Sequence, residues 1–158
     1  MKLSDFVIAE AILPQLKAEA RDQAIHEMID ALIQADACPA DLRDELIKRI
    51  LDREKHGSTG FGKGVAVPHV KHEQIEQMAA AVAVSQKGVD FNALDKEPVY
   101  SIFLLLSPKD RPDEHLQAME NIFSNLQKEN FRKFLRQSES VEAVQDLLEE
   151  ADTEQLSR

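Results

Sequence analysis

Val99-Tyr100-Ser101-Ile102-Phe103-Leu104-Leu105-Leu106 ends in five consecutive large apolar side chains, with Pro98 before it and Pro108 shortly after. A strand buried on both faces reads as an unbroken apolar run, whereas a half-buried one alternates. The stretch is therefore expected to be a central strand, covered above and below. Upstream, Met78 to Val84 is similarly apolar and is expected to be a second buried strand, although its alanines also suit a helix. Gly88-Val89-Asp90 between them reads as a turn.

Further from this centre the apolar period lengthens. Ala24, Ile25, Met28, Ile29, Leu32 and Ile33 recur at helical spacing, which predicts an amphipathic helix over about 20–35. Leu42, Leu46, Ile47, Ile50 and Leu51 line a second helix, opened at Pro39, where a missing N–H costs little, and running to about Lys55. Val65-Ala66-Val67 is a short strand ended by Pro68, and residues 11–16 are a further strand that Pro14 confines to an edge. A third helix starts near Pro112 and Asp113, with Leu116, Met119, Ile122, Phe123 and Leu126 as its stripe. Phe131, Phe134 and Leu135, then Val141, Val144, Leu147 and Leu148, mark two short closing helices. Helices that precede, interrupt and follow short strands predict an α/β domain, a single mixed β-sheet with helices on both faces. The domain spans 1–150, and residues 151–158 form a polar tail expected to fray.

With 43% hydrophobic residues but no Trp, the core must be built mainly from Leu, Ile, Val, Ala and Met. Acidic residues outnumber basic ones 29 to 19, and no Lys/Arg cluster offers a duplex-binding surface, so nucleic acid is not an expected partner. An acidic chain can still dock a basic protein surface. Asp5 and Glu10 interrupt the first residues, and no apolar run approaches a membrane span of about 18 residues, so neither a signal peptide nor membrane insertion is expected. The lone Cys38 suggests a reducing compartment and a structural role. The expected location is cytoplasmic.

Gly57, Gly60, Gly62 and Gly64 crowd one loop, and the chain has only one other glycine, Gly88. Such a loop needs unusual backbone angles or close backbone approach. Gly57-Ser58-Thr59-Gly60-Phe61-Gly62-Lys63-Gly64 has the spacing of a P-loop. A Ser or Thr should follow Lys63, however, and a strand should precede the loop; here Gly64 follows and a helix precedes, so nucleotide binding is not expected. His69 comes directly after a strand and a proline, and in α/β sheets ligands gather beyond the carboxyl ends of strands. A neutral imidazole there offers a nucleophilic lone pair; a ring bonded to a backbone carbonyl fits the position equally well. His115 falls in the first turn of the third helix, on the face of Ala118, Met119 and Ile122, where a helix N-terminus favours an anion. It reads either as a donor to that anion or as a surface histidine. Arg53, near the end of the second helix, either complements the helix dipole or neutralises a phosphoryl group, which carries about −1.5 to −2 charge. His69-Val70-Lys71-His72 is an H-x-x-H, but no H-E-x-x-H or cysteine pair accompanies it, so no metal site is expected. His26 is expected at a boundary; His56 and His72 are expected in solvent.

Arg53-Glu54-Lys55-His56-Gly57-Ser58-Thr59-Gly60-Phe61-Gly62-Lys63-Gly64-Val65-Ala66-Val67-Pro68-His69 resembles the signature of the enzyme IIA domain of the phosphoenolpyruvate-dependent phosphotransferase system, in its fructose/mannitol/nitrogen-regulatory type. The resemblance continues through Val89-Asp90-Phe91 with Asp95, and through Asp113-Glu114-His115-Leu116. It implies a phosphohistidine at His69, formed on Nε2, with Arg53 and His115 assisting and Ser58, Thr59 and Gly60 building the phosphate pocket. The implied donor is the phosphorylated carrier HPr. The implied acceptor is a IIB domain serving sugar uptake, or else a regulatory target protein whose binding follows the phosphorylation state of His69. The implied chemistry is phosphotransferase chemistry without cofactor. Three positions depart from the family pattern. Val70 stands where a small residue is usual and is expected to narrow access or reshape the acceptor surface. Lys63 stands where Asn is common and is expected to add charge beside the pocket. His72 is unusual. A metal-dependent hydrolase using His69, His72 and His115 is the rival from outside the family.

Overall fold

The computed structural model describes residues 1–157, with side-chain surroundings through Glu154. Its elements are β1 (Val7–Leu13), α1 (Arg21–Gln34), α2 (Arg43–Lys55), β2 (Val65–Ala66), β3 (His69–His72), β4 (Ala79–Val89), β5 (Val99–Pro108), α3 (Pro112–Leu126), α4 (Glu129–Gln137) and α5 (Val141–Ser157). The five strands form one mixed sheet. β1 pairs parallel with β4, β4 antiparallel with β5, and β5 parallel with β2 and then with β3.

The apolar run that opened the sequence reading is the middle of this sheet. Ile102, Leu104 and Leu106 of β5, with Ala81 and Ala83 of β4, pack against Ile25, Met28, Ile29 and Leu32 of α1 and Leu46 and Ile50 of α2. Phe103 and Leu105, with Ala80, Val82 and Val84, belong to a second core with Ile122 and Leu126 of α3, Phe131 and Leu135 of α4 and Val144 and Leu148 of α5. Side chains alternate across a strand, so continuous apolar sequence fills two cores at once. Alanines on β4 let the helices approach closely, which explains why that strand looked half helical in sequence.

Four expectations change. Gly88 does not make a turn: β4 runs on to Val89 through an irregularity after Val84, where Gly88 takes φ +93° and donates its N–H to Ser85 Oγ. The reversal comes later, where Asn92 and Lys96 adopt left-handed angles. The edge strand starts at Val7 rather than 11 and stops at Leu13, ahead of Pro14. The chain past Pro68 was not expected to pair, yet it forms β3 on β5, with His69 opposite Leu105 and Lys71 opposite Ser107. Finally, the expected tail from residue 151 is not frayed. α5 continues to Ser157, Ala151 is buried, and Asp152, 5% exposed, accepts the N–H groups of Leu3 (2.7 Å) and Ser4 (3.1 Å). Arg158, the end of that tail, lies outside the described residues. Asp152 thus clamps the two ends of the chain together on the α3–α5 side of the sheet. Asp152→Ala leaves two N–H groups without an acceptor, and we expect a loss of about 2 kcal/mol in urea unfolding.

Among the described residues no helix is long and apolar enough to cross a membrane.

Candidate phosphohistidine site

Strand alternation decides what His69 faces. In β3, His69 and Lys71 point to the α3 side of the sheet, while Val70 and His72 point to the α1/α2 side, matching the register with Leu105, Leu106, Ser107 and Pro108. His69 is half-buried, and its Nδ1 lies 2.8 Å from the Val67 carbonyl oxygen. A carbonyl oxygen only accepts, so Nδ1 carries the proton and donates. The lone pair of the neutral ring is then on Nε2, the nitrogen distal to the backbone. Pro68, between the two, has no N–H to compete for this carbonyl geometry, and its own carbonyl takes the Leu105 N–H at 3.0 Å.

His115 opens α3 behind Pro112 and sits with its ring centroid 5.7 Å from that of His69, the planes tilted by 51°. It is 8% exposed, and its Nδ1 is 2.6 Å from Ser107 Oγ at the end of β5. Burial above all, then the charges of His69 and Lys71, push the His115 imidazole down to about 4. The ring is therefore neutral at pH 7. The Ser107 hydroxyl can donate to Nδ1, which puts the ring proton on Nε2, available to an incoming oxygen. Because its pKa lies below the ordinary value of about 6.5, the unfolded chain takes up this proton first as pH falls. Stability is then lost between about pH 6.5 and 4 and changes no further below. We expect the His115 ring to titrate near 4 by NMR; a midpoint near 6.5 would mean a hydrated ring.

The glycine-rich loop reaches His69 through backbone. Val67 donates its N–H to the Thr59 carbonyl at 3.2 Å, while its own carbonyl holds the His69 ring. The loop is itself held by Glu54, which is 3% exposed. Glu54 Oε1 accepts the Thr59 N–H (3.1 Å), and Oε2 accepts the Thr59 hydroxyl (2.5 Å). Gly60 is required by close approach, since a Cβ there would meet Ala93 Cβ at 3.0 Å. The N–H groups of Thr59 and Gly60 are thus engaged inside the loop, the latter on Ser58 Oγ at 3.0 Å. Ser58 accepts with its oxygen and keeps a hydroxyl proton for an anion. Arg53 is exposed at the end of α2, and its Nη1 donates to the Gly57 carbonyl at 2.7 Å, so it is anchored on the loop rather than on either imidazole.

The family model described as "Phosphoenolpyruvate-dependent sugar phosphotransferase system, EIIA 2" matches residues 5–151 of this sequence. The chain belongs to this EIIA type 2 family. Within it, the chain is 34% identical over 148 residues to a nitrogen regulatory protein of Bradyrhizobium diazoefficiens, covering 94% of this chain and 95% of that one. It is also 34% identical over 130 residues to a fructose-specific EIIA component of a phosphotransferase system in Haloferax volcanii, covering 82% and 83%. The crystal structure of nitrogen regulatory protein IIA-Ntr from Neisseria meningitidis superposes with a TM-score of 0.83 at 27% identity, over 92% of this chain and 98% of that one.

Two departures from the EIIA type 2 pattern are corrected by the structure. Val70 is buried in the α1/α2 core and does not narrow access to His69. His72, expected in solvent, is 1% exposed: its Nε2 lies 3.0 Å from Glu45 Oε2, and its Nδ1 accepts the Gln74 N–H at 2.9 Å. The expectation failed because β3 was not foreseen, and in a strand the residue three after an outward histidine faces inward. His69, His72 and His115 therefore do not converge, which removes the ligand set of the hydrolase reading. Glu45, His72 and Glu73 do come within 4.8 Å of one another, but Arg49 already binds both carboxylates at 2.9 Å and both ring nitrogens of His72 are engaged. His26 is at a boundary and His56 is exposed, as expected. Cys38 is buried, and burial pushes its thiol up to about 11, which suits an inert side chain.

Three residues around this candidate site escaped the sequence reading. Glu54 had a local signal, an acid followed five residues later by Thr59. Lys71 could have been found from period two, once the strand past Pro68 was allowed; it is exposed on the face of His69. Ser107 had no local signal beyond ending an apolar run.

Proposed function

We propose that this EIIA type 2 chain is a phosphocarrier whose His69 Nε2 accepts a phosphoryl group from phosphorylated HPr and passes it to a IIB acceptor in sugar uptake. The observation that carries the proposal is the Nδ1–H bond from His69 to the Val67 carbonyl, beside a neutral His115. In the transfer, the Nε2 lone pair of His69 attacks phosphorus as the donor's P–N bond breaks, and the donor imidazole keeps that electron pair. Such transfer asks the protein for positioning and charge stabilisation rather than covalent work. His115 Nε2–H and the Ser58 hydroxyl supply donors, while Arg53 and Lys71 supply positive charge near the developing dianion. Once the phosphoryl is attached, the Val67 carbonyl still holds the ring in place.

A second reading has its own support. The similarity to nitrogen regulatory proteins extends over 94% of this chain. Here the phosphorylation state of His69 controls docking on a regulatory target, because a dianion on an exposed edge can create or break an interface. Incubation with phosphoenolpyruvate, enzyme I and HPr should place an acid-labile phosphoryl group on His69 under both readings. Onward chase to a purified IIB domain separates them: full discharge supports transport, and a stable label in the presence of IIB supports regulation. Absence of any label would end both.

A further inference from the structure

A second cationic site lies away from His69. A cavity of about 730 Å³ opens between α4, the start of β5 and the turn that leads into β2. Lys63, Arg132, Lys133 and Arg136 line it, against Glu129 and Glu139, in a chain whose net charge is −10. Ser101 lines this cavity, and Leu105 pairs with His69, so about 13 Å of strand separates the two places.

Three features suggest a built site rather than scattered surface charge. Among the described residues, none of the four cations forms an ion pair, although two carboxylates share the cavity. Both guanidinium groups are held without a carboxylate: Arg132 Nη1 donates to the Leu126 carbonyl at 2.8 Å, and Arg136 lies over the Tyr100 ring, 3.5 Å from its centroid. A fork oriented in advance loses little entropy when it takes up phosphate oxygens. Lys63, in turn, occupies the left-handed region at φ +62°, between Gly62 at +111° and Gly64 at +76°. A side chain such as Asn tolerates that conformation, whereas Lys adopts it with strain. The chain accepts that strain at a residue lining the cavity.

We propose that this cavity binds a small organic phosphate with a hydroxylated body. Its phosphate would sit among Arg132, Arg136, Lys63 and Lys133. Glu129 and Gln137 would accept and donate to hydroxyl groups. The carboxylates would disfavour a bare anion, which makes the hydroxylated body part of the recognition. A cavity of this volume accommodates ligands of metabolite or nucleotide size.

The test is titration of the full chain, followed by NMR of backbone amides, with fructose 1,6-bisphosphate, ATP, inorganic phosphate and glucose as probes. Saturable shifts centred on Tyr100, Arg136 and Gln137 with the bisphosphate or with ATP are the expected result, and which of the two binds assigns the source as a sugar phosphate or a nucleotide. Binding should persist in His69→Ala. It should weaken at least about tenfold in Lys63→Asn and in Lys133→Gln, both exposed positions whose replacement leaves the fold intact. The proposal is overturned if neither organic phosphate shifts these amides, if inorganic phosphate binds as tightly, if the shifts centre on His69 and His115 instead, or if both lysine variants bind like the parent.

Discussion

His69→Ala is expected to abolish the acid-labile phosphoryl label completely, while leaving the thermal unfolding midpoint within a few degrees of the parent. The loss should be total because no second nucleophile is poised nearby. The His115 ring is the nearest imidazole, but its Nδ1 is committed to Ser107 at 2.6 Å, and its value of about 4 marks a poorly basic nitrogen. Folding should survive because His69 is only half-buried and its ring hydrogen bond goes to a neighbouring carbonyl, not across the core. Val67 is itself buried, so its carbonyl loses its donor except where water fills the space the ring vacates, and the cost should stay at about 1–2 kcal/mol. Label that persists in His69→Ala would move the phosphorylated residue elsewhere and end the assignment.

The second large effect is expected at Glu54, which touches neither imidazole. Glu54→Gln keeps the volume but exchanges one acceptor oxygen for an NH₂ group. Thr59 presents two donors to this side chain, the backbone N–H at 3.1 Å and the hydroxyl at 2.5 Å. In the variant the NH₂ either opposes the Thr59 N–H or donates to the Thr59 hydroxyl oxygen, whose own proton then loses its buried acceptor; a lost charged hydrogen bond plus an unsatisfied group costs about 2–3 kcal/mol. The Thr59 carbonyl holds the Val67 N–H, and the Val67 carbonyl sets the His69 tautomer. We therefore expect both a lower urea midpoint and a rate of His69 labelling reduced at least about tenfold, with the label still on His69. Lost stability at an unchanged labelling rate would confine Glu54 to folding; unchanged stability would mean that the pair is not satisfied as described.

The fold was legible where adjacent residues carry the pattern. Ile102 to Leu106 announced a strand covered on two faces, and the α1 stripe announced its helix within one residue at each end. Gly88 misled because a glycine inside a strand and a glycine in a turn leave the same mark; the choice rests on whether Val89 finds Val99 across the sheet. Asp152 misled for a similar reason. A carboxylate near a chain end reads as solvated until the N–H groups of Leu3 and Ser4, about 150 positions earlier, are brought to it. At the candidate site, strand-end and helix-start positions singled out His69 and His115, which the structure brings to 5.7 Å between ring centroids, whereas Ser107 was invisible because its meaning lies in what it touches.

Sequence by itself determined that this chain is an α/β domain of the EIIA type 2 family with a histidine set behind Val-Pro and a glycine-rich loop. Those features are written in the spacing of near neighbours, where backbone angles and apolar period act. Only the tertiary structure decided that His72 is buried on Glu45, that Val70 fills the core, that Glu54 steadies the loop, and that Lys63 belongs to a separate basic cavity. Each of those depends on which face of a strand or helix a side chain occupies, and on what distant segment packs there. A shift of one residue in the register of β3 on β5 would reverse the first two of them.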